Sequence, residues 1–242
     1  METPSNLPLA GRTALVTGGA RRIGAAIVRE LAAAGATVWV HCNRSSAAAE
    51  ALLADLGPRG GGVLTADLAA PDARAVLYAE AKRQSGGIDI WINNAALFVP
   101  DTAPADTLAT QRAVNHDAPL HFLDALAADR RPACVIHLLD ARIARPPATD
   151  SPFSSYAATK RDLASTLVPT AAALAPLGLR VNAIAPGDVL PPEAHRERAR
   201  PFPLPHRPTP ADVARAAVFL ASSPTLSGQI LYVDSGLHLP PA

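Results

Sequence analysis

Strand-like runs alternate with helix-like runs along the whole chain, and this alternation leaves few folds open. Strand-like segments occupy 13–17, 37–41, 62–66, 88–92, 134–139, 179–184 and 230–233. Helical segments lie between them at 23–34, 47–56, 71–84, 107–128 and 154–174, and a further one spans 209–221. Their ends carry the expected punctuation: Gly35 and Gly57-Pro58 close two helices, while Pro71 and Thr209-Pro210 open two others. Strictly alternating strands and helices predict a parallel sheet covered by helices on both faces. No repeat, linker or change of composition divides the chain, so residues 1–242 are expected to form one domain.

With 49% hydrophobic and 18% charged residues, the 242-residue chain has a globular composition. A formal net charge of +1 argues against non-specific binding to nucleic acid or a membrane surface. The most apolar long segment, 23–40, is interrupted by Arg29 and Glu30 and cannot span a bilayer. The first twelve residues lack a basic stretch followed by an apolar run, so a soluble, cytoplasmic protein is expected.

The first strand runs into Thr17-Gly18-Gly19-Ala20-Arg21-Arg22-Ile23-Gly24. A glycine-rich turn between strand and helix lets backbone approach a pyrophosphate, and the helix N-terminus supplies amides and a positive dipole end. An ordinary tight turn would not explain two arginines placed where the phosphates would lie. The second strand ends in His41-Cys42-Asn43-Arg44-Ser45 and has no carboxylate for a ribose 2′-hydroxyl. Arg44 and Ser45 instead suit a 2′-phosphate, which points to NADP(H). Asp67 and Leu68 follow the third strand, where an adenine would lie. Asn94 and Ala95 follow the fourth, and Pro186 and Gly187 follow the sixth.

Tyr156 and Lys160, four residues apart at the start of the long helix, share one helix face. An ammonium near a phenol lowers the phenol's pKa, so Tyr156 is expected to give up a proton near neutral pH. No histidine or cysteine spacing suggests a metal site. The stretch 188–208 is rich in proline and arginine and reads as a mobile substrate loop. Its Arg196, Arg198, Arg200 and Arg207 form either a solvated rim or a grip for a carboxylate.

Taken in order, Thr-Gly-x-x-x-Arg-x-Gly, Asn93-Asn94-Ala95, Tyr-x-x-x-Lys and Arg180-Val181-Asn182-Ala183 resemble the short-chain dehydrogenase/reductase family over nearly the whole chain. The resemblance implies a Rossmann-type, doubly wound α/β fold with seven strands in the order 3-2-1-4-5-6-7, assembled as a homotetramer or homodimer. It implies Tyr156 as general acid, Lys160 as its partner on the nicotinamide ribose, and Asn115 in a proton relay. That strand order separates Cys42 from Cys134 by three strand spacings, too far for a disulfide.

Two departures from the common pattern, Arg22 at a glycine position and Asp140 at the usual serine, resemble the pteridine and dihydromonapterin reductases. His41-x-x-Arg44-Ser45 is similar to that subgroup's NADPH-selecting segment, which implies that His41 contacts the cofactor. The subgroup also implies substrate contacts from Arg22, Ala96, Phe98, Asp140 and Tyr156, with Phe98 stacking a pterin over the nicotinamide. Sixteen residues separate Asp140 from Tyr156, about three more than in the subgroup. Ser151, Ser154 or Ser155 therefore stays open as an alternative source of a hydroxyl. The expected function is an NADPH-dependent reductase of a pterin-type small molecule. A carbonyl reductase and a non-catalytic NADPH-binding module are the alternatives.

Overall fold

The computed structural model describes residues 7–145, 151–189 and 202–240. Seven parallel strands form one sheet: β1 (Thr13–Val16), β2 (Thr37–Cys42), β3 (Gly60–Thr65), β4 (Ile90–Asn93), β5 (Ala133–Leu138), β6 (Leu179–Pro186) and β7 (Ile230–Val233). Their order is 3-2-1-4-5-6-7, as the resemblance implies. Between them run α1 (Arg22–Ala33), α2 (Ser46–Leu56), α3 (Pro71–Ser85), α4 (Ala105–Arg112), α5 (Ala118–Ala128) and α6 (Ser154–Leu174), with α7 (Pro210–Ser222) before β7.

Both sheet faces are buried, which is why the strands read as near-continuous apolar runs. Ala14, Val16, Val38, Val40, Ile92 and Ile136 pack against α1, α2 and α7. The alternate residues Leu15, Trp91, Val135, Val181 and Ala183 pack against α3, α5 and α6. Trp39 lies across the start of β3, and a Cβ at Gly61 or Gly62 would fall 2.5 Å from its ring atoms. The glycines thus make room for the indole.

The helical segment expected over 107–128 is two helices joined by a π turn at Ala113–Asp117. Proline accounts for the break: Pro119 has no N–H to give to the Asn115 carbonyl four residues back, and its ring crowds that carbonyl. Cys42 and Cys134 are buried free thiols. Among the described residues, no helix is long and apolar enough to cross a membrane.

The expected mobile loop over 188–208 falls partly outside the described residues, which take up again at Phe202. From there the chain is held: Leu204 donates its N–H to Ser235 O at 3.0 Å, and Arg207 Nε donates to Asp188 O at 2.7 Å. Arg207 is therefore committed to the backbone. Arg196, Arg198 and Arg200 lie outside the described residues.

Candidate active site

The site forms at the C-terminal ends of β1, β4, β5 and β6, where parallel sheets of this kind bind ligands. Thr17 and Asn94 build its floor. The Thr17 hydroxyl accepts from the Asn94 and Ala95 N–H groups at 3.0 and 3.1 Å, and Asn94 Nδ2 donates to Thr17 O and Gly18 O at 2.9 and 3.0 Å. Gly18 has φ +61°, and a Cβ there would sit 2.9 Å from Ala95 Cα. At Gly24 a Cβ would meet Asn94 Nδ2 at 2.6 Å and press still closer on Gly18 O. The turn is a cradle that side chains would fill.

The start of α1 is open to an anion. Arg21, the N-cap, makes no side-chain capping bond, and the first turn holds no acidic residue. First-turn amides in that state suit phosphate oxygens. Arg22 adopts φ +53°, a left-handed conformation rare outside glycine, and its side chain is exposed beside these amides. Ser45 likewise caps α2 without a side-chain bond, and that helix also has no acid in its first turn. Arg44 is exposed beside it. These donors fit a dinucleotide carrying an extra phosphate on the ribose near β2.

His41 differs from expectation. Its ring is 2% exposed and lies beneath the glycine turn. Nδ1 accepts from Gly18 N–H at 3.3 Å, and Nε2 faces Ala66 O at 3.1 Å. Burial pulls its pKa down to about 4, so it is a neutral brace that shapes the cradle. Asp67 Oδ1 accepts from Ala69 N–H at 2.9 Å and turns the chain after β3, with Leu68 buried beneath.

That turn depends on Arg74, which the sequence reading passed over. The side chain is 5% exposed and donates to Leu68 O, Ala69 O and Ala113 O, at distances of 2.6 to 3.2 Å. A lone arginine on α3 reads as a solvated charge. Only the folded chain brings three carbonyls to it.

A cavity of about 150 Å³ is lined by Ile23, Asn94, Ala96, Leu139, Asp140, Tyr156, Lys160, Pro186 and Gly187, among others. Eight residues singled out from the sequence thus meet around one space, with Leu139 beside them. A second cleft of about 560 Å³ lies at the opposite strand ends and is lined by none of them.

Lys160 is 3% exposed and donates from Nζ to Leu138 O at 2.7 Å. Burial lowers its pKa to about 8, opposed by the charge of Asp140. Tyr156 corrects the expectation of a lowered phenol pKa. Burial raises it, and the charge of the Asp140 carboxylate raises it further. The raised pKa keeps the Tyr156 hydroxyl protonated, as a proton donor needs.

Asp140 Oδ1 accepts from Arg142 N–H at 2.9 Å, and Oδ2 faces Arg142 Nη1 at 3.3 Å. Burial raises its pKa, and Arg142 opposes that rise. Ser154 and Ser155 are engaged elsewhere, each donating from Oγ to Asp101 at 2.5 Å at the start of α6. Ser151 Oγ accepts from Phe153 N–H at 3.3 Å. Asp140 is the group beside Tyr156. The Pro-rich stretch before Ser151 includes residues 146–150, which lie outside the described residues.

Asn115 is completely buried in the π turn. Its side chain clamps the loop after β4, accepting from Leu97 N–H and donating to Leu97 O, both at 2.8 Å. Phe98 is 48% exposed, stacks on Phe153 at 4.2 Å between centroids and meets Tyr156 edge-on at 4.6 Å. Arg142 lies 5.5 Å over its ring. Phe153 and Arg142 escaped the sequence reading because neither belongs to a motif. Among the described residues, no cluster of three histidine, cysteine or acidic side chains is placed to hold a metal ion.

A phosphate cradle, a buried Tyr–Lys pair and an acid beside the tyrosine, all at one end of a parallel sheet, define a nucleotide-dependent oxidoreductase site. A family model described as enoyl-(acyl carrier protein) reductase matches residues 18–238, and the chain belongs to the short-chain dehydrogenase/reductase family. It is 30% identical to 3β-hydroxysteroid dehydrogenase 1 of Eggerthella lenta, over 96% of both chains. It is also similar to the crystal structure of FolM alternative dihydrofolate reductase 1 from Brucella canis complexed with NADP. That match has a TM-score of 0.86 and 34% identity, and covers 96% of each chain. A blue fluorescent protein from a metagenomic library, crystallised with NADPH, matches with a TM-score of 0.87 and 31% identity, covering 95% of this chain and 98% of its own.

Proposed function

We propose that this protein uses NADP(H) to reduce a pterin-type ring, such as a dihydropterin, dihydromonapterin or dihydrofolate. The observation that carries the reading is the Asp140 side chain lining the same cavity as Tyr156 and Lys160, where a carbonyl reductase needs a neutral donor. Carbonyl reduction builds an oxyanion, which a neighbouring carboxylate repels. Reduction of a ring C=N bond requires a proton at nitrogen, and an acid–phenol pair can deliver one. The solved structure of an alternative dihydrofolate reductase with NADP, similar over 96% of the chain, supports the same class.

Bound NADPH would supply the hydride; everything else falls to this chain. Gly18, the first-turn amides of α1, Arg21, Arg22, Ile23 and Gly24 would hold the pyrophosphate. Arg44 and Ser45 would take the 2′-phosphate. Asp67 and Leu68 would border the adenine, and Asn94, Ala95, Pro186 and Gly187 the nicotinamide half. Lys160 would hold the ribose. Tyr156, held protonated, would give its proton to the ring, and Asp140 would relay the replacement proton to it from water. Phe98, Ala96 and Arg22 would frame the flat substrate.

α6 leaves Val168 63% exposed on its outer face. We propose that this face packs against a second copy in a homodimer or homotetramer.

The reading is tested by following NADPH oxidation with dihydrobiopterin, dihydrofolate and an acetoacetyl thioester in parallel, for the wild type and D140S. Turnover of a pterin by the wild type, lost in D140S, is expected. Turnover of the thioester alone, retained or raised in D140S, would make the protein a carbonyl reductase. Full function of Y156F in its host would favour a non-catalytic module.

A further inference from the structure

The helix that carries Tyr156 and Lys160, α6, begins without a cap of its own. Phe153 stands at its N-cap and makes no side-chain capping bond. The cap comes from Asp101, in the loop that follows β4 and bears Phe98. Asp101 Oδ2 accepts from the Ser154 N–H at 2.9 Å and from the Ser154 hydroxyl at 2.5 Å. Oδ1 accepts from the Ser155 N–H at 2.9 Å and from the Ser155 hydroxyl at 2.5 Å. The Asp101 N–H in turn donates to Pro152 O at 2.8 Å. The two hydroxyls above all hold this carboxyl well below the usual carboxylate range, so an anion stands at the helix N-terminus, where the dipole favours one.

A second tie runs through the interior. Gln111 on α4 is completely buried. Its Oε1 accepts from the Val99 N–H at 3.0 Å, and its Nε2 donates to Ser155 Oγ at 3.1 Å. The Val99 N–H can only donate, which fixes the orientation of the amide. The Ser155 hydroxyl accepts from Gln111 and passes its one proton to Asp101, so loop, Gln111, Ser155 and Asp101 close a circuit. Asn115, four residues beyond Gln111, adds a third tie. Besides clamping Leu97 it donates to Thr159 Oγ1 at 3.3 Å, and that hydroxyl donates to Tyr156 O at 2.7 Å. Phe98 therefore sits between two pinned residues, Leu97 and Val99, and every pin leads to α6. Buried amides are costly unless fully partnered, and both ends of Gln111 are committed to this junction.

We propose that Asp101 and Gln111 are positioning residues that lock the Phe98 loop to the first turn of α6, so that the Phe98 ring and the Tyr156 hydroxyl keep one fixed relation. The two rings already meet edge-on at 4.6 Å between centroids. Neither residue lines the cavity, and each acts through the backbone it holds. The consequence of the lock for turnover rests on the function proposed above, whereas the lock itself does not.

D101N turns an amide nitrogen toward two of the four donors and removes the charge. With whichever substrate the parallel assay turns over, its kcat/KM should fall by about 10- to 100-fold, the cost of a small misplacement of reacting groups. The Kd for NADPH should stay near the wild-type value, because Thr17 and Asn94 hold the phosphate cradle. T209A, which removes the side-chain cap of α7, controls for the loss of a helix cap as such. It should lower the melting temperature and keep kcat/KM. Q111M breaks the circuit from its buried side, so the D101N/Q111M double variant should lose little more than the worse single one. Wild-type kcat/KM in D101N, an equal loss in T209A, or losses that multiply in the double variant would overturn the proposal.

Amide hydrogen exchange reads the lock without substrate or nucleotide. In D101N the Leu97 and Val99 amides of the loop should exchange faster together with those of Ser154 and Ser155, by about tenfold or more. Faster exchange at Ser154 and Ser155 alone would make Asp101 an ordinary cap and sink the proposal, whatever the protein turns over.

Discussion

Replacing Lys160 by methionine should stabilise the nucleotide-free protein while abolishing its turnover. The lysine is 3% exposed, and burial lowers its pKa from 10.5 to about 8. At about 1.36 kcal/mol for each tenfold, keeping the ammonium charged in the fold costs about 3 kcal/mol. Methionine has a similar length and carries no charge. It leaves the Leu138 carbonyl without its donor, a loss of about 1 kcal/mol. The net expectation is a gain of about 2 kcal/mol at pH 7.

The gain has a pH signature. Between the folded pKa near 8 and the unfolded value of 10.5, the unfolded chain binds more protons at this site than the folded one. Stability of the wild type therefore rises with pH across that window. K160M lacks this rise, so its advantage is full below pH 8 and disappears by pH 10.5. Urea unfolding of both proteins without nucleotide, at pH 7 and at intervals up to pH 10, measures it. Equal stabilities at pH 7, or a constant difference across the window, would show that Lys160 is not strained by burial. Such a cost is consistent with a residue kept for chemistry at the expense of stability.

Two further predictions concern the cradle. R44E should reverse the preference for NADPH over NADH by about 10- to 100-fold, the worth of a charge-assisted phosphate contact, as read from the two Kd values. G24A forces a Cβ to within 2.6 Å of Asn94 Nδ2 and against Gly18 O, both fixed by hydrogen bonds. It should abolish nucleotide binding and lower stability by about 1–3 kcal/mol in urea melts, and binding retained at wild-type affinity would mean the turn can rearrange.

Much was legible in the sequence because it is written in local patterns. The alternation of apolar runs decides between sheet and helix residue by residue. Turn glycines such as Gly18 and Gly24 mark places where a Cβ has no room. Tyr156 and Lys160 share a face because four residues make about one helical turn. Even the π turn has a local cause in Pro119, visible beforehand to anyone asking which carbonyl it deprives.

Tertiary structure decided what depends on residues distant in the chain. His41 looked like a ligand contact until Ala66 and Gly18 closed around it. The phenol of Tyr156 was expected to be lowered by its neighbour Lys160. Burial and Asp140, sixteen residues earlier, set it the other way. Arg74 became the clamp of a loop only when the carbonyl of Ala113 came within 3.0 Å of it. The reason is the same in each case. Propensity and spacing act between near neighbours, whereas desolvation and the sharing of buried donors depend on everything the fold brings within a few ångströms. Strands and motifs can therefore be read along the chain, but protonation states and polar partners belong to the assembled interior.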